Sequence, residues 1–252
     1  MPFTLWQFAL VSLILFASSV VQGAVGFAAG LFGIPLLMFT GIPLADAVAI
    51  SFVAAAVQNC IPCWQLRREI DFRGALRPML IRFVTMPLGV IALGFIGKEN
   101  NQIASQVVGV IVLLMVALQL VTRAEPRSKL HPAWEWLAFS LGGFLLGLCG
   151  MGGPPMALWV LAHDWTMNRA RAFLYFIFAS GLPLWALFLW LQFGQRFLDA
   201  TLLGAIGLPA VFVGLYAGLY LSRVIPDKAL RGVSVGVLVL IAVSAIVMPY
   251  LR

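Results

Sequence analysis

Charge is what this 252-residue sequence has least of. Only 10% of its residues are Asp, Glu, Lys or Arg, against 62% that are hydrophobic. A soluble domain is about a quarter charged. No hydrophilic run here exceeds roughly a dozen residues, the length of an ordinary connection, so a sizeable water-soluble domain is excluded. Histidine is nearly missing as well, with His131 and His163 alone. Intramembrane metalloenzymes need clusters of His or acidic ligands, so no metal is expected. Three cysteines, Cys60, Cys63 and Cys149, cannot build a disulfide framework. The C-x-x-C spacing of "CIPC" at 60–63 stands without a second pair or a βαβ pattern, and reads as small apolar side chains closing a helix. No Gly-Lys-Ser/Thr follows a glycine cluster, which excludes a soluble phosphate loop. No nucleophile has a base at a telling spacing. No catalytic residue and no cofactor is therefore assigned, and the chain is expected not to be an enzyme.

What is present is long apolar runs. A spanning helix needs about 20 apolar residues, and on that ruler helices fall at 4–28, 44–64, 75–97, 103–122, 135–150, 171–192, 198–222 and 229–250. The N-terminal run lacks a basic flank and continues into more membrane sequence, so it reads as a retained helix. The fold class is all-α, polytopic, with about eight transmembrane helices, integral to the cytoplasmic (inner) membrane. The net charge of +7 sits in short clusters between the runs, where basic residues act as topology signals and contact lipid headgroups. The expected partners are therefore membrane lipids and not nucleic acid. Counting eight crossings puts nine basic residues on the side of the termini and six on the other, with Arg82 inside a helix. That is a slight bias toward cytoplasmic termini.

Two apolar pieces, 31–40 and 155–163, are too short to span, and each follows a glycine cluster. The polar stretch 123–133 lies near the midpoint and separates residues 1–122 from 134–252. An offset of 124 residues lays "GAVGFAAGLFGIP" (23–35) on "GLCGMGGPPMALW" (147–159) and Gly94 on Gly218. This predicts two repeated halves, parallel or inverted, each with an interrupted segment. Broken backbone at membrane depth is tolerated only where it is buried in protein or lines a watery cavity, and matched interruptions in two halves are the pattern of secondary transporters.

These two stretches, with the central linker and the length of about 250 residues, resemble the TauE/SafE family of sulfite exporter-like permeases. The second stretch is close to the family's G-x-x-G-x-G-G-x pattern. The first departs from it at Ala28 and Ala29, so the two copies are not equal claimants for a ligand. The resemblance covers essentially the whole chain. It implies a secondary transporter of small anions, typically sulfite, sulfonates or related organosulfur acids, proton-linked or facilitative and without ATP hydrolysis. A permease for small carboxylates and a non-transporting membrane scaffold are the alternatives.

An anion in a bilayer needs positive potential, and the free N–H groups and dipole of a helix N-terminus supply it. Gly150, Gly152 and Gly153 precede a short helix opened by Pro154 and Pro155, and Gly26, Gly30 and Gly33 precede Pro35. The two turns are expected to face each other and line a substrate path. A branched side chain at Gly152 is expected to block flux while sparing folding. Gln58 and Asn59 offer amide donors, as does Gln22, and Ser18, Ser19 and Ser180 offer hydroxyls. Arg82, inside a span, is either a functional cation or a snorkelling one; Arg77 is nearer the edge. His163 and Asp164, and Asp46, end the short pieces, either as surface caps or as handlers of a coupling proton. Gly214 and Gly218 read as helix-packing positions.

Overall fold

The computed structural model describes residues 5–25, 29–99, 101–121, 130–225 and 227–251. They form twelve α-helices: α1 (Leu5–Val25), α2 (Ala29–Phe39), α3 (Leu44–Gln65), α4 (Phe72–Glu99), α5 (Asn101–Val121), α6 (Pro132–Cys149), α7 (Gly153–Leu161), α8 (Met167–Ser180), α9 (Leu182–Phe193), α10 (Gln195–Ile206), α11 (Leu208–Val224) and α12 (Asp227–Leu251). A single 3-10 turn, Arg67–Glu69, joins α3 to α4. No strand occurs among the described residues. Six helical stretches are long and apolar enough to cross a membrane, and the bent pair α10–α11 makes a seventh. The outer surface agrees with burial in lipid. Val84, Phe95 and Leu240 are 71%, 70% and 69% exposed, while water would favour polar groups at such positions.

The eight runs expected from hydropathy are all helical, with two corrections. The run at 171–192 starts earlier, at Met167, because the Thr166 hydroxyl accepts a hydrogen bond from the Arg169 N–H and caps the helix. It is also divided at Gly181. The run at 198–222 starts at Gln195, is divided at Gly207, and bends by 56° there. Both breaks carry Gly-Leu-Pro, at 181–183 and 207–209. Pro183 and Pro209 have no N–H to continue the helical ladder, and hydropathy alone does not register that. The first run ends at Val25, and residues 26–28 lie outside the described ones. So do residues 122–129, which take in most of the central linker 123–133.

Ion pairs fix the direction of the helices. At one end of the bundle Arg196, opening α10, clasps Asp46, opening α3, with both carboxylate oxygens engaged at 2.6 and 3.0 Å. At the opposite end, beyond the far terminus of α3, Asp71 pairs with Arg169 at 3.1 Å and Arg77 with Glu135 at 3.4 Å. So α3 and α10 start at the first end, and α4, α6 and α8 at the second. Helix α1 runs alongside α11 in the same direction, Gly214 facing Phe16 and Gly218 facing Val20. Helix α6 runs alongside α4 in the same way, Gly143 facing Arg82 and Gly147 facing Met86. Side chains are excluded at both seams. A Cβ on Gly218 would lie 2.1 Å from the Val20 carbonyl oxygen, and one on Gly147 2.1 Å from that of Met86. This is small-residue packing that lets membrane helices approach closely.

The two short helices turn back on their predecessors. In α2, Ala29 meets Gln22 and Gly33 meets Ser18 of α1. Gly152, just before α7, and Met156 within it meet Gly142 of α6. The hairpin α1–α2 thus enters from the first end of the bundle and α6–α7 from the second. Helices α7, α8 and α10 start at 153, 167 and 195, and the starts of α2, α3 and α4, displaced by 124 residues, fall at 153, 168 and 196.

Candidate functional site

The tips of the two hairpins touch. A Cβ on Gly30 would lie 2.5 Å from the Gly150 carbonyl oxygen, and one on Gly150 would lie 2.6 Å from the Ile34 Cδ1. Gly150 has φ 67°, a left-handed conformation that glycine adopts without strain. It closes α6 with its own N–H on the Leu146 carbonyl, 2.9 Å away, while the Met151 N–H turns onto Leu145 at 3.3 Å. Those two donors are therefore spent on the cap. Pro154 and Pro155 bring no N–H, so the first turn of α7 offers Gly152 and Gly153 as its donors.

A cavity of about 70 Å³ opens beside the tips. A single water needs about 10–15 Å³ on the same measure, so the space suits a ligand of a few heavy atoms. Gly30, Gly150, Gly152 and Gly153 line it, and α3 contributes Gln58 and Asn59. Ser18 and Gln22 of α1 also line it, as do Ser51, Phe178 and Trp185. No Asp, Glu, His, Lys or Arg is among the described lining residues. Among the described residues no group of three His, Cys, Asp or Glu side chains is placed to hold a metal ion.

The polar groups are unequally occupied. The Ala29 N–H, first of α2, donates to the Gln22 Oε1 at 3.0 Å. The N-terminus of α2 is thus capped from within the chain. The Gln58 Nε2 donates to the Ser19 Oγ at 2.7 Å, and that hydroxyl donates to the Leu15 carbonyl at 2.6 Å. Gln58 therefore ties α3 to α1. The Asn59 Nδ2 donates to the Ala55 carbonyl at 2.7 Å, which leaves the side-chain oxygen as the free end, buried and without a hydrogen-bond partner. The Ser51 hydroxyl and the Trp185 indole N–H are buried and unpartnered too. Ser51 and Trp185 are residues that sequence reasoning missed. Ser51 carries a faint signal as a lone hydroxyl in the apolar run "AVAISFVAAAV". Trp185, one of eight tryptophans, carries none.

Arg82 lies behind the cavity wall instead of on it. It is 1% exposed. Its guanidinium donates to the Ile177 carbonyl, which the end of α8 at Ser180 leaves without a helical partner. The guanidinium carbon lies 5.6 Å from the centre of the Phe178 ring. A Cβ on Gly181 would come within 2.8 Å of its terminal nitrogens, so that glycine makes room for the cation.

Other expected site residues lie elsewhere. Gly33, Pro35, Pro154 and Pro155 are buried in packed helix without lining the cavity, and Gly26 is outside the described residues. His163 is held between the indoles of Trp159 and Trp165, ring centres 4.1 and 4.5 Å away, off the cavity. Asp46 is engaged by Arg196.

Comparison with protein-family models matches residues 10–245 to the sulfite exporter TauE/SafE family. The chain belongs to the TauE/SafE family. That family consists of membrane transporters and not enzymes, and this TauE/SafE chain is an integral, multi-pass membrane protein. No curated protein and no solved structure matches it.

Proposed function

We propose that this TauE/SafE protein is a secondary transporter that carries a small oxyanion of sulfur, either sulfite, a sulfonate or a related organosulfur acid, across the cytoplasmic membrane. The observation that carries the reading is the cavity at the meeting point of two inserted hairpins, lined by the polar residues Ser18, Gln22, Gln58 and Asn59 and by the glycine turn that opens α7. Helix N-termini and oriented dipoles favour an anion without fixed acidic or basic lining. Two halves, 1–122 and 134–252 around the linker 123–133, would bring one hairpin each to this centre, in inverted orientation. Purified protein in sealed proteoliposomes is expected to take up labelled sulfite or a sulfonate in counterflow, ahead of sulfate and short carboxylates. Preferred uptake of a carboxylate would support the carboxylate-permease alternative. A folded protein with no flux for the whole panel would leave the scaffold reading.

The distribution of charge supports an orientation opposite to the slight bias counted from eight crossings. Because α1 and α6 each return through a short helix, the basic residues sort differently. Arg67, Arg68, Arg73, Arg77, Arg169 and Arg171 fall at the second end of the bundle and Arg196 at the first. In sequence, Arg123, Arg127 and Lys129 fall between α5 and α6, and Arg223, Lys228 and Arg231 fall in the last turn of α11 and the start of α12. Cytoplasmic loops are the Lys/Arg-rich ones, so the second end faces the cytoplasm. Helix α12 lies antiparallel to α5, with Ser105 on the Ala245 carbonyl and Gly109 beside Ala242, which takes its last turn to the first end. Green fluorescent protein fused after Arg252 is therefore expected to stay dark in a bacterial host, and alkaline phosphatase fused there to be active. A bright fluorescent fusion reverses the orientation.

A further inference from the structure

One seam leads from the first end of the bundle to the cavity. At its outer edge Asp46 of α3 holds Arg196 of α10 through both carboxylate oxygens, at 2.6 and 3.0 Å. One residue further along α10, Phe197 is 6% exposed and meets the Phe52 ring edge-on at 5.8 Å. Deeper in, a Cβ on Gly204 would lie 2.5 Å from the Ile50 carbonyl oxygen, and one on Gly207 2.6 Å from the Leu15 Cδ1. Leu15 lines the cavity. From the ion pair to the cavity wall, α10 is thus closed against α3 and α1. The second end is held less tightly. There Asp71 and Arg169 meet through a single contact, and Phe72, next to Asp71, is 60% exposed.

We propose that the Asp46–Arg196 pair is the gate at the first end. It opens with the α3–α10 seam to connect the cavity to that side, and it is closed while the cavity is served from the second end. Gly204 and Gly207 bring no side chain to interlock with Ile50 or Leu15, so the two faces can part as packed bodies, in the way that alternating access rocks one unit of a transporter against another. An ion pair that water reaches is weak enough to break in each cycle. Its two parallel hydrogen bonds are directional enough to bring the helix starts back to one register. The inference rests on the anion-transport reading above and gives it a moving part.

The test locks the seam. Asp46→Cys/Arg196→Cys is made in the full-length protein carrying Cys60→Ser and Cys63→Ser, with the buried Cys149 retained. The pair is bridged with a short bifunctional methanethiosulfonate, and the bridged fraction is read by intact mass. Counterflow of sulfite and of methanesulfonate in proteoliposomes is measured before and after a reductant. Flux is expected to fall in proportion to the bridged fraction, at least tenfold at full bridging, and to return on reduction. Bridged protein that transports as fast as the reduced protein overturns the proposal. So does an equal loss when the reagent treats Arg196→Cys alone, which cannot span the seam. If the double variant does not fold, or is inactive when reduced, labelling decides. Ala55→Cys, in the cavity lining, is exposed to an impermeant thiol reagent from the side that the fusions assign to the first end. Adding Asp46→Asn is expected to speed labelling about fivefold, the scale of one partly exposed ion pair, and an unchanged rate overturns the gate. Absence of flux for both substrates in the unsubstituted protein refutes the transport reading itself, and the gate with it.

Discussion

Gly152→Val is expected to abolish transport and, at the same time, to lower the amount of folded protein recovered from the membrane. A Cβ at this position would lie 2.2 Å from the Gly142 carbonyl oxygen and 2.9 Å from the Leu146 Cβ. Both belong to α6, whose backbone is clamped against α4 through Gly143 and Gly147, so neither can yield cheaply. The branched side chain must therefore pry α7 off α6. That displaces the Gly152 and Gly153 donors from the cavity and opens a seam that the fold depends on, at a cost of several kcal/mol by the usual scale of overpacking and backbone clashes. Sequence alone suggests that folding would be spared, because a glycine turn reads as an open loop; the close contact with Gly142 overturns that expectation. Thermal unfolding monitored by size-exclusion chromatography, together with proteoliposome flux, checks both parts. Gly236→Val is the control, since nothing lies within 4 Å of a Cβ there, and it is expected to unfold and transport as the wild type does. A Gly152→Val protein with normal stability and normal flux would remove the α6–α7 tip from the transport path.

The sequence shows most where the physics is local. Twenty-residue apolar runs must be helices in a bilayer, because every backbone polar group needs a partner there, and eight such runs became helical stretches. Glycine clusters ahead of short apolar pieces mark breaks for the same reason, and those breaks became the two hairpin tips. Direction is harder to read. Whether α2 and α7 continue across or fold back is decided by contacts such as Gly33 on Ser18 and Met156 on Gly142, and hydropathy cannot see them. Where a short helix folds back, every loop beyond it changes side, so Arg196 and Arg77 lie at opposite ends. Ion pairs 150 and 98 residues apart, Asp46 with Arg196 and Asp71 with Arg169, resolve it. In the candidate site, Gln58 and Asn59 stand out as adjacent amides in an apolar helix. Their tasks differ because one is bonded to Ser19 and the other retains an open oxygen. Trp185 joins them only through the fold, positioned by an edge contact with Phe52 at 5.3 Å.

Arg82→Gln is expected to weaken anion binding about tenfold while leaving the helical fold in place. A cation buried to 1% exposure in a membrane protein is costly. Among the described ion pairs, Arg77–Glu135, Arg169–Asp71 and Arg196–Asp46, none supplies it with a counter-charge. The carbonyl of Ile177, freed by the break after Ser180, and the face of Phe178 supply part of the compensation. The proposed anion, on the far side of Phe178, would supply the rest, acting through the ring without contact. At an effective dielectric of about 20, unit charges about 10 Å apart interact by about 1.7 kcal/mol, slightly more than a tenfold change in affinity. Arg82→Lys keeps the charge but loses the planar fork, so it is expected to recover most of the affinity if the effect is Coulombic. A role confined to packing predicts the reverse order: both variants lower the thermal midpoint, and the dissociation constant for the anion does not move in either. Measuring the dissociation constant and the thermal midpoint for the two variants side by side separates a charge that serves the ligand from one that only holds α4 to the α8–α9 break.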